Sequence, residues 1–170
     1  LGISLLKARL VELGFTCDIQ YLTFTFSEFI GYEEYSWLST ELAYVAHAGD
    51  WTFTQALYGN RPEADRRYIQ ETLVETWQLD ESAIECILHI RSLVAHFLDH
   101  CLAMVPWEEY AIVGFTSTFE QNIASLALAM RIKEAYPHIV TVFGGANCEG
   151  EMGHELHRQF TFVDYVCSGE

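Results

Sequence analysis

Three short segments of this 170-residue chain carry side chains that could handle a ligand. The first is Thr116-Ser117-Thr118-Phe119-Glu120-Gln121-Asn122, whose hydroxyls and carboxamides can cap a helix and also face a polar group. The second is GGANCEGEMG, residues 144–153, with four glycines in ten residues. Glycine there lets backbone approach a large flat or anionic group closely. The third is Ser168-Gly169-Glu170. Gly-rich βα loops often exist only to make a turn, so no one of these segments is specific alone. Their weight comes from position, since each follows a run that reads as a buried strand.

Residues 111–116 (AIVGFT) form a short apolar run, which suits a parallel strand. Residues 119–136 read as a long amphipathic helix stopped by Pro137. Residues 140–143 read as a second strand, 152–160 as a short helix and 162–167 (FVDYVC) as a third strand. This β-α-β-α-β rhythm implies a parallel sheet with helices on both faces and a ligand site outside the carboxyl ends of its strands. Earlier, residues 1–13 have helical spacing and end at Gly14, while residues 15–22 (FTCDIQYL) alternate and read as a strand. The strand that should feed the first helix is not in the sequence. The reading therefore expects an excerpt of a longer chain, with an upstream segment or a second chain filling that slot.

Between these pieces lie residues 23–107, helix-patterned, aromatic and acidic. Ser27 is expected to cap a helix reaching His47, and an aromatic turn follows (Trp51, Phe53, Tyr58). Pro62 is expected to open a helix ending near Trp77, and Asp80 to cap one running through Met104 to Pro106. An insertion of that length far exceeds an ordinary βα connection. It serves either as a packing subdomain or as a lid and docking surface. The domain division is thus an α/β domain of residues 1–22 and 108–170, with a helical insertion of 23–107.

Charge narrows the partners. The chain has 24 acids and 9 bases, a net −15, and the insertion holds 13 acids against 4 bases, so −9 of the −15 lies there. Such a surface repels phosphate backbones and anionic membranes, so no nucleic-acid and no membrane partner is expected. No apolar run approaches the length needed to span a bilayer. Five cysteines, with no CxxC pair, argue against a disulfide framework or structural zinc and for a reduced, cytoplasmic protein. Cys86, His89, His96 and His100 share one face of the long helix. They make either a metal stripe or, on the simpler reading, a half-buried face of satisfied histidines. Cys148 is either a reactive thiol or a small filler in a tight turn. His154 and His157 are placed over the acidic loop, and Asp164 with Glu149 could form an acid pair.

The runs VGFTSTFEQNIASLALAMRIKEAYP, VFGGANCEGEMG and FVDYVCSGE resemble the N-terminal cobalamin-binding domain of cobalamin-dependent radical S-adenosylmethionine enzymes. The branch they most resemble methylates ribosomally made peptides during maturation. The opening LGISLLKARLVELGF and the DWTFTQALYG motif are similar to that domain as well. The resemblance implies a flavodoxin-like, Rossmann-type sheet of order 2-1-3-4-5, lacking its first strand here, with base-off cobalamin across the strand ends. It implies that Ser117, Thr118, Gln121 and Asn122 face the corrin. Gly144, Gly145, Ala146 and Asn147 would pass the nucleotide tail, and Ser168 and Gly169 would close the last side. Phe119, Cys148, Gly150 and Met152 complete the implied set, with Cys148 either a filler of the turn or an upper ligand.

Two departures from the wider cobalamin pattern stand out. Asp99-His100 is not the Asp-x-His-x-x-Gly that supplies a histidine to cobalt, so no histidine ligand is expected. No Cys-x-x-x-Cys-x-x-Cys exists to hold an iron–sulfur cluster. The 4Fe-4S cluster and S-adenosylmethionine would belong to a downstream radical barrel in the same polypeptide, and a precursor peptide is a further implied partner. The competing readings are a non-catalytic flavodoxin-like domain docking a peptide through the acidic insertion, and a flavin- or nucleotide-binding flavodoxin-like protein.

Overall fold

The computed structural model describes residues 2–169. Leu1 of the expected first helix and Glu170 of the expected last loop lie outside the described residues. The chain forms a mixed α/β structure around a three-stranded parallel sheet, β1 (Ile112–Thr116), β2 (Val140–Gly144) and β3 (Tyr165–Val166), in the order β1-β2-β3. The helices are α1 (Gly2–Glu12), α2 (Leu22–Ile30), α3 (Tyr32–Ser36), α4 (Ala48–Tyr58), α5 (Pro62–Arg67), α6 (Glu81–Met104), α7 (Asn122–Ala135) and α8 (Gly150–Gln159). None among the described residues is long and apolar enough to cross a membrane.

The longest helix follows directly from its sequence. The Asp80 carboxylate accepts from the Ala83 backbone N–H at 2.9 Å, an N-cap, and the helix ends before Pro106. Ile87, Ile90, Val94, Phe97, Leu98 and Cys101 then fall on one face and are buried. Pro62 opens α5, which runs on as wider turns through Thr76, close to the expected end at Trp77. Strands β1 and β2 pair in register, with Phe115 stacked on Phe143 at a centroid distance of 4.8 Å. Strand β3 is two residues long, shorter than expected. Phe160 and Phe162 pack in the turn before it, but Asp164 and Cys167 still donate to Thr141 and Phe143 carbonyls on either side.

Four expectations need correction. Residues 15–21 form no strand, and Leu22 already begins α2. A strand is stabilised by a partner's ladder, and no described residue pairs with this segment. The expected helix from Ser27 to His47 is broken, because Ser27 lies inside α2 and Gly31 takes a φ of 106° between α2 and α3. The expected aromatic turn is instead α4, with Trp51 and Phe53 buried. Helices on both faces are not seen among the described residues: α7 and α8 both pack on the Phe115–Phe143 face. Ile112, Val140, Val142 and Tyr165 of the other face belong to neither apolar cluster.

The main core joins the insertion to the α/β part. Phe26, Trp51, Phe53, Leu73, Ile87, Ile90 and Phe97 pack in one cluster with Leu128, Ile132 and Ile139. Helix α4 lies against both α6 and α7 and links the two parts. Each such buried side chain contributes about 1.5–3 kcal/mol of apolar burial. A second, smaller cluster of Leu126, Ala129, Phe143, Cys148, Leu156 and Val163 fixes α8 under the sheet.

Candidate functional site

The carboxyl ends of β1, β2 and β3 lead into three loops that meet along one rim. Ser117 N–H donates to the Gly144 carbonyl at 2.8 Å, and Asn147 N–H donates to the Ser117 carbonyl at 3.1 Å. The Asn147 carboxamide donates to Ser117 Oγ and to the Phe119 carbonyl, both at 2.9 Å. On the far side, Gly150 N–H donates to Ser168 Oγ at 2.9 Å, and Gly169 N–H donates to the Glu149 carboxylate at 3.0 Å. The first two loops are therefore tied to each other, and the second is tied to the third.

Glycine is required at two of these positions. Gly145 has a φ of 97°, and a Cβ there would meet Ser117 O at 2.6 Å and Ser117 N at 2.9 Å. A Cβ on Gly153 would meet the Cys148 carbonyl at 2.1 Å, so α8 starts as close to the preceding turn as backbone allows. Phe119 is in the left-handed region at φ 48° although it is not glycine, which costs on the order of 1–3 kcal/mol. Its ring is 78% exposed and meets Tyr44 of the insertion edge to face, centroids 6.3 Å apart.

The residues expected to form the site divide into two sets. Ser117 is buried with its hydroxyl held by Asn147, and Thr118 with Gln121 forms a capping box ahead of α7. Asn122 has a buried carboxamide oxygen with no hydrogen-bond partner. Cys148 is buried in the smaller core, and burial pushes its thiol up from the ordinary range. The second set is open: Phe119, Gly145, Ala146, Gly150, Met152, Ser168 and Gly169 are exposed, and Gly144 is half-buried. The rim thus presents mainly backbone and two large apolar side chains.

Sequence reasoning missed a pair of carboxylates behind this rim. The Asp50 carboxylate accepts from Ile123 N–H at 2.9 Å, at the N-terminus of α7. The Glu120 carboxylate accepts from Gly49 N–H at 3.2 Å, at the N-terminus of α4. Each helix start is capped by an acid from the other segment, favourable at the positive end of a helix dipole. Burial pushes both carboxyls up from the ordinary range, partly offset by those backbone hydrogen bonds and by His47. An acid in the first turn of α4 is a local signal; its partner 73 residues away is not.

Three other expectations are revised. His89, His96 and His100 are exposed rather than half-buried, because the buried face of α6 is the one carrying Ile90, Val94 and Phe97. Among the described residues no cluster of three or more His, Cys, Asp or Glu is placed to hold a metal ion. Asp164 and Glu149 do not pair. Asp164 is bonded to Lys133 at 2.5 Å and to Thr141 N–H at 2.8 Å, whereas Glu149 holds Gly169. Burial pushes the Asp164 carboxyl up, but Lys133 and Thr141 outweigh it and leave it below the usual carboxylate range. His157 stands over the Asp164 carbonyl, at 3.2 Å, rather than over the glycine loop.

Comparison with known proteins identifies no relative: no family model, no curated protein and no solved structure matches the chain.

Proposed function

We propose that this chain is the cobalamin-binding part of a cobalamin-dependent radical S-adenosylmethionine methyltransferase acting on a ribosomally made peptide. The observation that carries the reading is the strip of exposed backbone from Gly145, Ala146, Gly150 and Gly169 at the carboxyl ends of three parallel strands. Parallel sheets bind ligands there. The resemblance in GGANCEGEMG adds the identity of the ligand.

The residues present fit such a group. The Gly145 loop offers no side chain to block a nucleotide tail, and the exposed ring of Phe119 offers an apolar floor for a macrocycle. Ser117, Thr118, Gln121 and Asn147 act one step back on this reading, fixing the loops through their mutual hydrogen bonds. Cys148 stays a packed thiol rather than an exposed thiolate, so it is not assigned to the cobalt. When bound, methylcobalamin would supply the methyl group for transfer to a substrate carbon radical. The 4Fe-4S cluster and S-adenosylmethionine belong to a downstream barrel in this proposal, and the setting is the cytoplasm. The finer fold proposal goes with it: a flavodoxin-like sheet in which the observed strands, in the order β1-β2-β3, take the last three places.

Addition of hydroxocobalamin tests the reading. A shifted cobalamin spectrum and retention of the colour through desalting are expected. A folded protein that leaves the spectrum unchanged and loses all colour would sink it. The second reading, a non-catalytic domain that docks a peptide, is favoured by the exposed Phe24, Tyr32 and Tyr44 on the acidic insertion. Calorimetric titration with a precursor peptide, with and without cobalamin, separates the two: peptide binding indifferent to cofactor favours docking alone.

A further inference from the structure

A second concave site lies in the helical layer, away from the three strand-end loops. Its cavity of about 240 Å³ is lined by Trp51, Tyr58, Arg61, Asp65, Tyr68 and Arg91. Sequence alone hides it, because its parts come from α4, α5, the turns after α5, and α6.

The site is built around a buried guanidinium. Arg91 is 9% exposed and lies over the Trp51 ring, 4.0 Å from its centroid. It donates to the Trp51 carbonyl, to Thr54 Oγ1 at 2.8 Å and to Asp65 at 2.8 Å. Trp51 in turn stacks on Tyr68, centroids 4.8 Å apart and planes within 16°. Burial of Arg91 is thereby compensated on several sides, as a buried charge requires. The aromatic wall is held rigid by the same contacts.

Charge placement points the same way. The insertion has only four bases, Arg61, Arg66, Arg67 and Arg91, and two of them line this cavity. Arg61 sits over the Tyr58 ring at 5.2 Å. Among the described residues Arg61 has no carboxylate partner, while Arg91 has Asp65. The cavity thus has two cations against one carboxylate in a chain of net −15.

We propose that this cavity binds a small planar aromatic carboxylate. The volume is below the roughly 300–1,000 Å³ of pockets for drug-sized ligands, so it suits a single ring. Trp51 is covered by Arg91 and Tyr68, so the aromatic surface left to meet that ring is that of the exposed Tyr58 and the half-buried Tyr68. The unpaired fork of Arg61 matches one carboxylate in geometry. Asp65 disfavours a dianion such as phosphate, because only one positive charge is in excess. The proposal is independent of cobalamin and of the rim.

Titration of the full chain with benzoate, followed by saturation-transfer NMR, tests it. Benzoate represents the free acid and 4-acetamidobenzoate the same planar group carried on a larger molecule. Saturable binding of either supports the proposal, and the tighter one identifies the source. Benzamide, the uncharged counterpart, is expected to bind at least about tenfold more weakly, since it lacks the charge-assisted bond. Arg61→Gln is expected to weaken benzoate by a similar factor with little change in melting temperature, because Arg61 is exposed and its one contact is with the exposed Tyr58 ring. Tyr58→Leu should lower benzoate affinity by a larger factor than acetate affinity. Benzamide binding as well as benzoate, benzoate unaffected by Arg61→Gln, or no saturable signal from the folded protein would each overturn it.

Discussion

The helical layer and the strand-end rim are held together by different forces. In the layer, Phe26, Phe53 and Phe97 meet ring to ring at 4.7 to 6.3 Å, and Leu73, Ile87 and Ile90 are fully buried. On the rim, apolar burial is slight and the loops are fixed by hydrogen bonds between Ser117, Asn147, Glu149, Ser168 and backbone N–H groups. Stability therefore sits in the layer, and the rim is free to expose backbone. The contrast accounts for the five glycines, Gly144, Gly145, Gly150, Gly153 and Gly169, gathered in and beside the strand-end loops.

The largest expected effect would break the layer. Phe97→Ala removes a ring that touches Phe26, Phe29 and Phe53, and should cost about 3–5 kcal/mol in urea denaturation. A loss under 1 kcal/mol would show that this layer is not the source of stability. Gly145→Ala attacks the rim. Its φ of 97° and its approach to Ser117 predict about 1–3 kcal/mol of destabilisation, with the layer intact and cobalamin retention lost. Unchanged retention of hydroxocobalamin by this variant would separate the glycine loop from the proposed function. Asp80→Ala removes only a cap, and a loss smaller than either of these is expected from the same denaturation experiment.

The smallest effect is a pH slope at the seam between the two regions. Asp50 and Glu120 have carboxyls raised by burial, with His47 and Tyr68 as charged or titratable neighbours. A raised carboxyl binds its proton more readily folded than unfolded. Its stabilising contribution is therefore present below the unfolded value and is lost as pH rises through the folded one. Asp164 is lowered and acts oppositely, losing its contribution only as the pH falls through its folded value. Stability should thus decline as pH rises from the ordinary carboxylate range toward neutrality. The double variant Asp50→Asn, Glu120→Gln should flatten that decline. Melting temperature against pH measures it, and an unaltered slope would remove the two carboxylates as its cause.

Part of this was legible in the residue order. Helix α6 carries its own cap at Asp80, a periodic apolar face and a stop at Pro106, so nothing distant was needed to find it. Strands β1 and β2 were legible as short apolar runs, and the loops after them as glycine or hydroxyl clusters, but only β2 has buried residues; β1 alternates exposed and half-buried because one of its faces is uncovered. Residues 15–22 misled because alternation reports compatibility with a strand and says nothing of a partner. The aromatic residues of α4 read as a turn because their burial against α6 and α7 is a long-range fact.

The sequence by itself determined α6 with its cap and stop, the runs of β1 and β2, the acidic balance and the three strand-end loops. Each depends on residues within a few positions of one another, where backbone and cap geometry act. Tertiary structure alone decided that Asp50 and Glu120 exchange caps and that α7 and α8 share one face of the sheet. It alone brought Arg91 to Trp51, 40 positions away, and to Asp65, 26 away. Those contacts arise because burying a common apolar surface outweighs the entropy of closing long loops, and only the folded chain shows which side chains that burial brings together.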